Sequence, residues 1–143
     1  MARLSHGAAA LVLLLATGAR AADAPPEPVP AELAGTWRWV SFMSPKEKLV
    51  VDKPEQYLLS FPEPAHIALK ADCNRAAGGV GFGKNGAMKV SPMAMTKAMC
   101  PPGSLGDRFA FEVGRATHWS KRGQDLMLEL PAYSGTLRFT RQP

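Results

Sequence analysis

The sequence of 143 residues lacks a hydrophobic run long enough to cross a bilayer, and it has only two cysteines and three histidines. Its main apolar stretch, residues 8–16, falls short of the roughly 20 residues that a transmembrane helix needs. Positive charge is in slight excess, with 17 Lys and Arg against 12 Asp and Glu, and it is not concentrated with aromatic residues. Nucleic-acid binding is therefore not expected.

The motifs of common catalytic and metal sites are missing as well. There is no G-x-S-x-G, and His66 and His118 do not fall in a zinc-binding spacing. A glycine-rich stretch, residues 78–84, approaches a phosphate-binding loop, but Asn85 stands where such loops place the Ser or Thr that binds Mg²⁺. We therefore expect a protein without enzymatic activity, metal or cofactor. A hydrolase with His66 or His118 as its base is the least favoured alternative.

The sequence does have an export signal at its start. Arg3 precedes the apolar run, and Ala19 and Ala21 form an A-x-A cleavage site. This pattern predicts a secretory signal peptide over residues 1–21, cleaved after Ala21, and a mature protein in the periplasm. Residues 22–32 are Pro-rich and are expected to form an extended linker. That leaves residues 33–141 as one folded domain.

Beyond residue 33, the apolar residues mostly alternate with polar ones, as in short β-strands. In segment 36–43, Trp37 and Trp39 are predicted on one face of a strand and Phe42 on the other. Asn85-Gly86 predicts a tight hairpin, because both residues tolerate positive φ. These patterns are typical of an antiparallel β protein.

One segment has helical spacing instead. Ser104, with Asp107 three residues later, indicates a helix start. A single apolar stripe then follows at Leu105, Phe109, Val113 and Ala116. We therefore predict an α+β fold of about seven or eight mostly antiparallel strands, a small barrel or half-barrel with one helix packed against it.

The two cysteines, Cys73 and Cys100, lie in a chain that is predicted to enter an oxidising compartment. In such a compartment, an even pair more often forms a disulfide than two free thiols. We therefore predict a disulfide between them.

The second cysteine ends the stretch SPMAMTKAMC, residues 91–100, which raises another possibility. Met93, Met95 and Met99 share one parity of a strand and could offer thioether ligands to Cu(I). Methionines more often fill irregular gaps in a core, however. Lys97, on the same face, also argues against a buried site for a soft metal.

Several of these features occur in an order that resembles the META domain, the HslJ-like family of bacterial envelope and heat-shock proteins. They are Trp37 in the first strand, the pair Cys73-Asn74, the hairpin at Gly86, and Thr96 followed by Cys100. The resemblance covers about residues 33–141. It departs from the family at Ala76-Ala77, where an aromatic residue is usual, and it lacks the lipidated cysteine that many members carry. It implies a compact β-rich domain with one helix, in the periplasm or on the envelope, with a link to stress.

The resemblance carries over Asn74 and Thr96 as motif positions. Short polar side chains of this kind satisfy backbone groups where strands bend, or they form part of a ligand site. The leading hypothesis is a monomeric, non-enzymatic META-domain protein of the periplasm, which supports stress tolerance by binding an unidentified envelope ligand or protein. One alternative is the Cu(I) binder described above. The other is a barrel that binds a lipid or small hydrophobic ligand, its interior lined by Trp37, Trp39, Tyr57 and Phe61.

Overall fold

The computed structural model describes residues 27–143, so the predicted signal peptide and part of the predicted linker lie outside the described residues. Within this range, the chain forms ten β-strands and one α-helix. The strands are β1 (Thr36–Met43), β2 (Lys48–Val50), β3 (Tyr57–Ser60), β4 (His66–Ala71), β5 (Asn74–Phe82), β6 (Met88–Val90), β7 (Ala94–Met95), β8 (His118–Arg122), β9 (Asp125–Glu129) and β10 (Thr136–Arg141). The helix is α1 (Gly106–Gly114). In residues 27–143, no helix combines the length and apolar character that crossing a membrane requires.

The strands form one antiparallel sheet in the order β6-β5-β4-β3-β1-β10-β9-β8, while β2 pairs with β1 and β7 pairs with β5. The two ends of this order come together. Ala87 forms a bridge with His118, and the N–H of Met88 donates to the carbonyl oxygen of Thr117 at 2.9 Å. The sheet is therefore a nearly closed barrel, which confirms the predicted α+β fold, with two short strands more than expected.

Strand β1 departs from the predicted alternation. Its register against β10 shifts between Trp39 and Ser41, which marks a β-bulge. One extra residue in a strand turns every later side chain to the other face. Phe42 is consequently buried, like Trp37 and Trp39. The prediction that Phe42 faces away from the two tryptophans was wrong.

Helix α1 begins at Gly106, and its N-cap residue is Leu105, one position after the predicted start at Ser104. The hydroxyl of Ser104 accepts from the N–H of Gly106 at 3.2 Å, and the N–H of Leu105 donates to the hydroxyl oxygen of Tyr57 at 2.9 Å. A Cβ added to Gly106 would lie 2.5 Å from the carbonyl oxygen of Ala71. The helix therefore rests directly on the end of β4, and only glycine fits at this contact.

The helix fills the barrel with an aromatic side chain. Phe109 is fully buried and stacks on Trp39, with ring centroids 5.2 Å apart and 14° between the ring planes. It also meets the edge of Tyr57 at 5.8 Å. Phe61, by contrast, lies only partly buried against Phe82. The aromatic residues that we expected to line a ligand cavity are therefore packed in the core or against another ring.

The hairpin between β5 and β6 forms at the predicted place. Asn85 and Gly86 have φ values of 56° and 76°, and Val80 pairs with Val90 across the two strands. A single 3-10 turn follows the glycine-rich stretch, where a phosphate-binding loop would lead into an α-helix.

Candidate functional site

The two cysteines are joined in a disulfide, with their Cα atoms 5.5 Å apart. Cys73 immediately precedes β5, and Cys100 lies in the loop that leads from β7 to α1. The bond therefore ties the start of one long strand to the approach of the helix. It confirms the predicted disulfide.

Asn74 lies beside this bond and is 5% exposed. Its Oδ1 accepts from the hydroxyl of Thr96 and from the N–H of Ala98, each at 2.8 Å. Its Nδ2 donates to the carbonyl oxygen of Ala98 at 2.9 Å and to Sγ of Cys100 at 3.4 Å. An amide side chain can accept two hydrogen bonds and donate two. All four are used within the protein.

Thr96 extends the same network to the backbone of β5. Its hydroxyl accepts from the N–H of Arg75, and its own N–H donates to the carbonyl oxygen of Arg75, both at 3.0 Å. The structure thus brings together the two motif residues that the sequence singled out. We call Asn74, Thr96, Ala98 and Cys100 the Asn74 clasp, because their bonds hold a segment with little regular structure against β5.

The three methionines of the same stretch do not all face one space. Met93 and Met95 are half-buried and line a groove of about 490 Å³ beside α1. Met93 packs between Gly78 and Gly114. A Cβ added to Gly78 would lie 2.9 Å from Cγ of Met93, and a Cβ added to Gly114 would lie 3.7 Å from its Cε. Met99 is 98% exposed and lines a separate hollow beside Cys100. Packing against β5 and α1 therefore accounts for Met93, and the third thioether lies apart.

The histidines also remain apart, on β4 and β8. Nδ1 of His66 lies 2.9 Å from the carbonyl oxygen of Pro64, and Nδ1 of His118 lies 3.2 Å from the hydroxyl of Thr117. Within residues 27–143, neither ring contacts a serine or cysteine that it could activate. The same part of the chain contains no group of three or more His, Cys, Asp or Glu that could hold a metal ion.

A second groove, of about 720 Å³, was not foreseen from the sequence. One wall is the turn after β1, at Met43, and the other is the turn between β9 and β10, at Tyr133. His118, Glu129 and Thr136 lie between these walls. We call this the Tyr133 groove. The only sequence signal for it is an aromatic residue inside a turn, in the segment PAYSG at residues 131–135.

The first wall of the Tyr133 groove is fixed by an ion pair with the helix. Nη1 and Nη2 of Arg108 donate to the two carboxylate oxygens of Glu47 at 2.9 and 2.6 Å. The hydrogen bond from Arg108 lowers the pKa of Glu47 from its ordinary value, and the same bond raises the pKa of Arg108. Because Ser44 caps the N–H of Glu47 at 3.1 Å, the whole turn is anchored to α1.

Comparison with known proteins identifies the family of this chain. The family model of the META domain matches residues 31–143, which confirms the resemblance drawn from the sequence motifs. Among curated proteins, no sequence matches the chain.

Solved structures share the fold at low sequence identity. An NMR structure of a protein from Burkholderia xenovorans superimposes with a TM-score of 0.62 at 18% identity, covering 87% of this chain and 96% of that one. The crystal structure of a DUF4847 family protein from Bacteroides vulgatus gives a TM-score of 0.58 at 14% identity, covering 78% of this chain and 95% of that one. These likenesses concern the fold alone.

Proposed function

Because the chain belongs to the META domain family, we propose that it is a non-enzymatic binding protein of the periplasm that supports tolerance of the cell envelope to stress. The observation that carries this proposal is the Cys73–Cys100 disulfide. The sequence has two cysteines, and both are used in this bond. Structural disulfides persist in oxidising compartments and are rare in the cytosol. The predicted signal peptide over residues 1–21 supports the same location.

The arrangement of reactive side chains supports binding over catalysis. In the described part of the chain, His66 and His118 lie on different strands, and neither ring contacts a serine or a cysteine. The hydroxyl of Thr117 beside His118 donates to the carbonyl oxygen of Glu129 at 3.3 Å. The most buried polar side chain, Asn74, is saturated with protein partners. What the fold offers to other molecules is its outer surface, including the Tyr133 groove.

The two alternatives draw less support from the geometry. A lipid-binding barrel needs an empty apolar interior, and Phe109 occupies that space. A Cu(I) site built from Met93, Met95 and Met99 needs their thioethers to converge, and Met99 lines a different hollow from the other two.

Fractionation of a Gram-negative host that expresses the full chain tests the location. We expect the protein in the periplasmic fraction, with Ala22 as its first residue and no thiol available for alkylation before reduction. An Ala21→Leu variant, which removes the small residue at the cleavage site, should accumulate as the longer precursor. A reduced, full-length protein in the cytoplasmic fraction would overturn the proposal.

Complementation of a deletion strain under heat or envelope stress tests the non-enzymatic role. The wild-type gene and a His66→Ala variant should both restore growth, because this side chain serves no catalysis and lies outside the Tyr133 groove. A Cys73→Ser/Cys100→Ser variant should restore growth poorly, since the domain is less stable without its disulfide. Failure of the histidine variant, with wild-type abundance and melting temperature, would point to an enzyme instead.

A further inference from the structure

We infer that the Tyr133 groove binds an uncharged saccharide. This rests on the proposed function as a binding protein and names the class of its ligand. The groove has a volume of about 720 Å³, within the range of small-molecule sites. It combines an exposed aromatic ring with a short row of polar side chains, and each of these two features supports the assignment separately.

The aromatic ring is held out of the core by its own backbone. Tyr133 is 93% exposed, and both it and Ala132 have positive φ, at 57° and 53°. This region of backbone conformation is unfavourable for residues other than glycine. The turn maintains it through a 2.9 Å bond from the N–H of Leu130 to the carbonyl oxygen of Gly135 and a 3.2 Å bond from Arg115 to Ser134. A strained turn that displays a tyrosine offers the flat apolar face on which a sugar ring can stack.

The polar row lies across three neighbouring strands. Thr136 of β10 pairs with Glu129 of β9, and Glu129 pairs with His118 of β8. Adjacent strands are about 4.8 Å apart, so the hydroxyl, carboxylate and imidazole groups recur at that interval. Glu129 is exposed, and within residues 27–143 its carboxylate has no hydrogen-bond or ion-pair partner. This row presents acceptors and donors to a ligand that is rich in hydroxyl groups.

The charge of the groove selects among ligands. Among the Lys and Arg residues of the described range 27–143, none lines this groove. Phosphates, nucleic acids and anionic lipid headgroups therefore find no cation to pair with. Long alkyl chains are disfavoured because the row between the walls is polar. A neutral ligand with one apolar face and many hydroxyl groups fits both the ring and the row.

The test is an NMR titration of the disulfide-bonded protein with two uncharged probes, the tetrasaccharides of N-acetylglucosamine and of glucose. We expect at least one of them to shift the amide signals of residues 117–118 and 129–136. Tyr133→Ala should weaken this binding by at least about tenfold, as loss of a stacking platform does. The matched control is Phe111→Ala, which removes a 63% exposed aromatic on α1, outside the groove, and should leave binding unchanged.

A third variant separates a saccharide from a basic peptide. Glu129→Gln keeps a polar side chain but removes the charge, so binding of a neutral sugar should change by no more than a few-fold, whereas binding of tetralysine should be abolished. Absence of shifts with both sugars at about 10 mM, well above the range of weak specific sites, would overturn the inference. So would shifts around Phe111, or a groove that responds to tetralysine alone. Because the titration uses purified protein, such a result would leave the proposed location and the complementation results intact.

Discussion

The hydroxyl of Thr96 donates to the side-chain carbonyl of Asn74 at 2.8 Å, across 22 positions of the chain. Nothing in regular sheet pairing holds residues 96–100, which follow the two-residue strand β7. The Asn74 clasp supplies those hydrogen bonds from one buried amide. Its position next to Cys73 means that a covalent bond and a polar network secure the same segment.

Asn74→Ala should therefore destabilise the fold by about 2–4 kcal/mol, because it removes the four hydrogen bonds of a buried amide. Thr96→Val should cost about 1 kcal/mol, and Thr96→Ser, which keeps the hydroxyl, should be close to wild type. Urea unfolding of the three single variants gives these values.

The double variant Asn74→Ala/Thr96→Val adds a check on the same contact. Its loss of stability should be smaller than the sum of the single losses, since the two residues share a hydrogen bond. Strict additivity would mean that the pair does not act as one unit.

Loss of the disulfide should lower the free energy of unfolding by about 3–4 kcal/mol. The reason is that the unfolded chain gains entropy when the bond no longer closes a loop of 27 residues. Urea unfolding of Cys73→Ser/Cys100→Ser measures this directly. Wild-type protein in the presence of a thiol reductant serves as the control and should match the double variant. Equal stability of the oxidised wild type and the variant would contradict the expected effect.

Two glycines of α1 should respond in opposite directions to the same substitution. Gly106→Ala should destabilise, despite the better helix propensity of alanine, because its Cβ would lie 2.5 Å from the carbonyl oxygen of Ala71. Gly114→Ala should stabilise by about 0.5–1 kcal/mol, since its Cβ meets only Cε of Met93 at 3.7 Å. Thermal unfolding of both variants tests the pair, and a shift of the same sign in both would count against the close contact of α1 with β4.

Two phenylalanines of α1 form a second matched pair. Phe109→Ala should cost about 3–5 kcal/mol, because the ring is fully buried against Trp39. Phe111→Ala should change stability by no more than about 0.5 kcal/mol, since that ring is 63% exposed. Chemical unfolding followed by tryptophan fluorescence distinguishes them. A small loss for Phe109→Ala would mean that the barrel interior is not held together by this ring.

The ion pair between Glu47 and Arg108 should make stability depend on pH. The pKa of Glu47 is lower in the folded protein, so the pair stabilises the fold above the unfolded pKa of about 4.3, and this contribution disappears as pH falls through the folded pKa. Glu47→Gln should therefore melt slightly below wild type at pH 7, with the two curves converging below about pH 4. Melting temperatures measured from pH 3 to 8 test this, and a constant difference across the range would contradict it.

Several features of the fold could be predicted from local patterns. Asn85-Gly86 specifies its hairpin through the backbone freedom of two residues, and the stripe containing Phe109 and Val113 specifies the buried face of α1. The disulfide followed from counting cysteines in a chain that is predicted to be exported. The hairpin and the helix could be predicted from residues close together in the sequence, and the disulfide from the oxidising chemistry of the predicted compartment.

The remaining features depend on contacts between distant segments. The bulge after Trp39 arises from the register against β10, about 100 residues away, so alternation within β1 could not reveal the burial of Phe42. At the start of α1, the hydroxyl of Tyr57 accepts from the N–H of Leu105, a distant contact that adds to the local one from Ser104. The Tyr133 groove likewise requires the pairing of β1 with β10, which brings its two turns side by side.

The place of β10 has a consequence for synthesis. The last strand of the chain lies in the middle of the sheet, between β1 and β9, and it pairs with β1 at six positions. The first strand, with both buried tryptophans, must therefore wait for its neighbour until the ribosome has translated residue 141. A chain without residues 136–141 lacks a central strand, so the β8–β9 hairpin loses its pairing with β10 and is left with the contacts of residues 117–118 to residues 87–88. Closure of the barrel therefore has to follow the translation of β10.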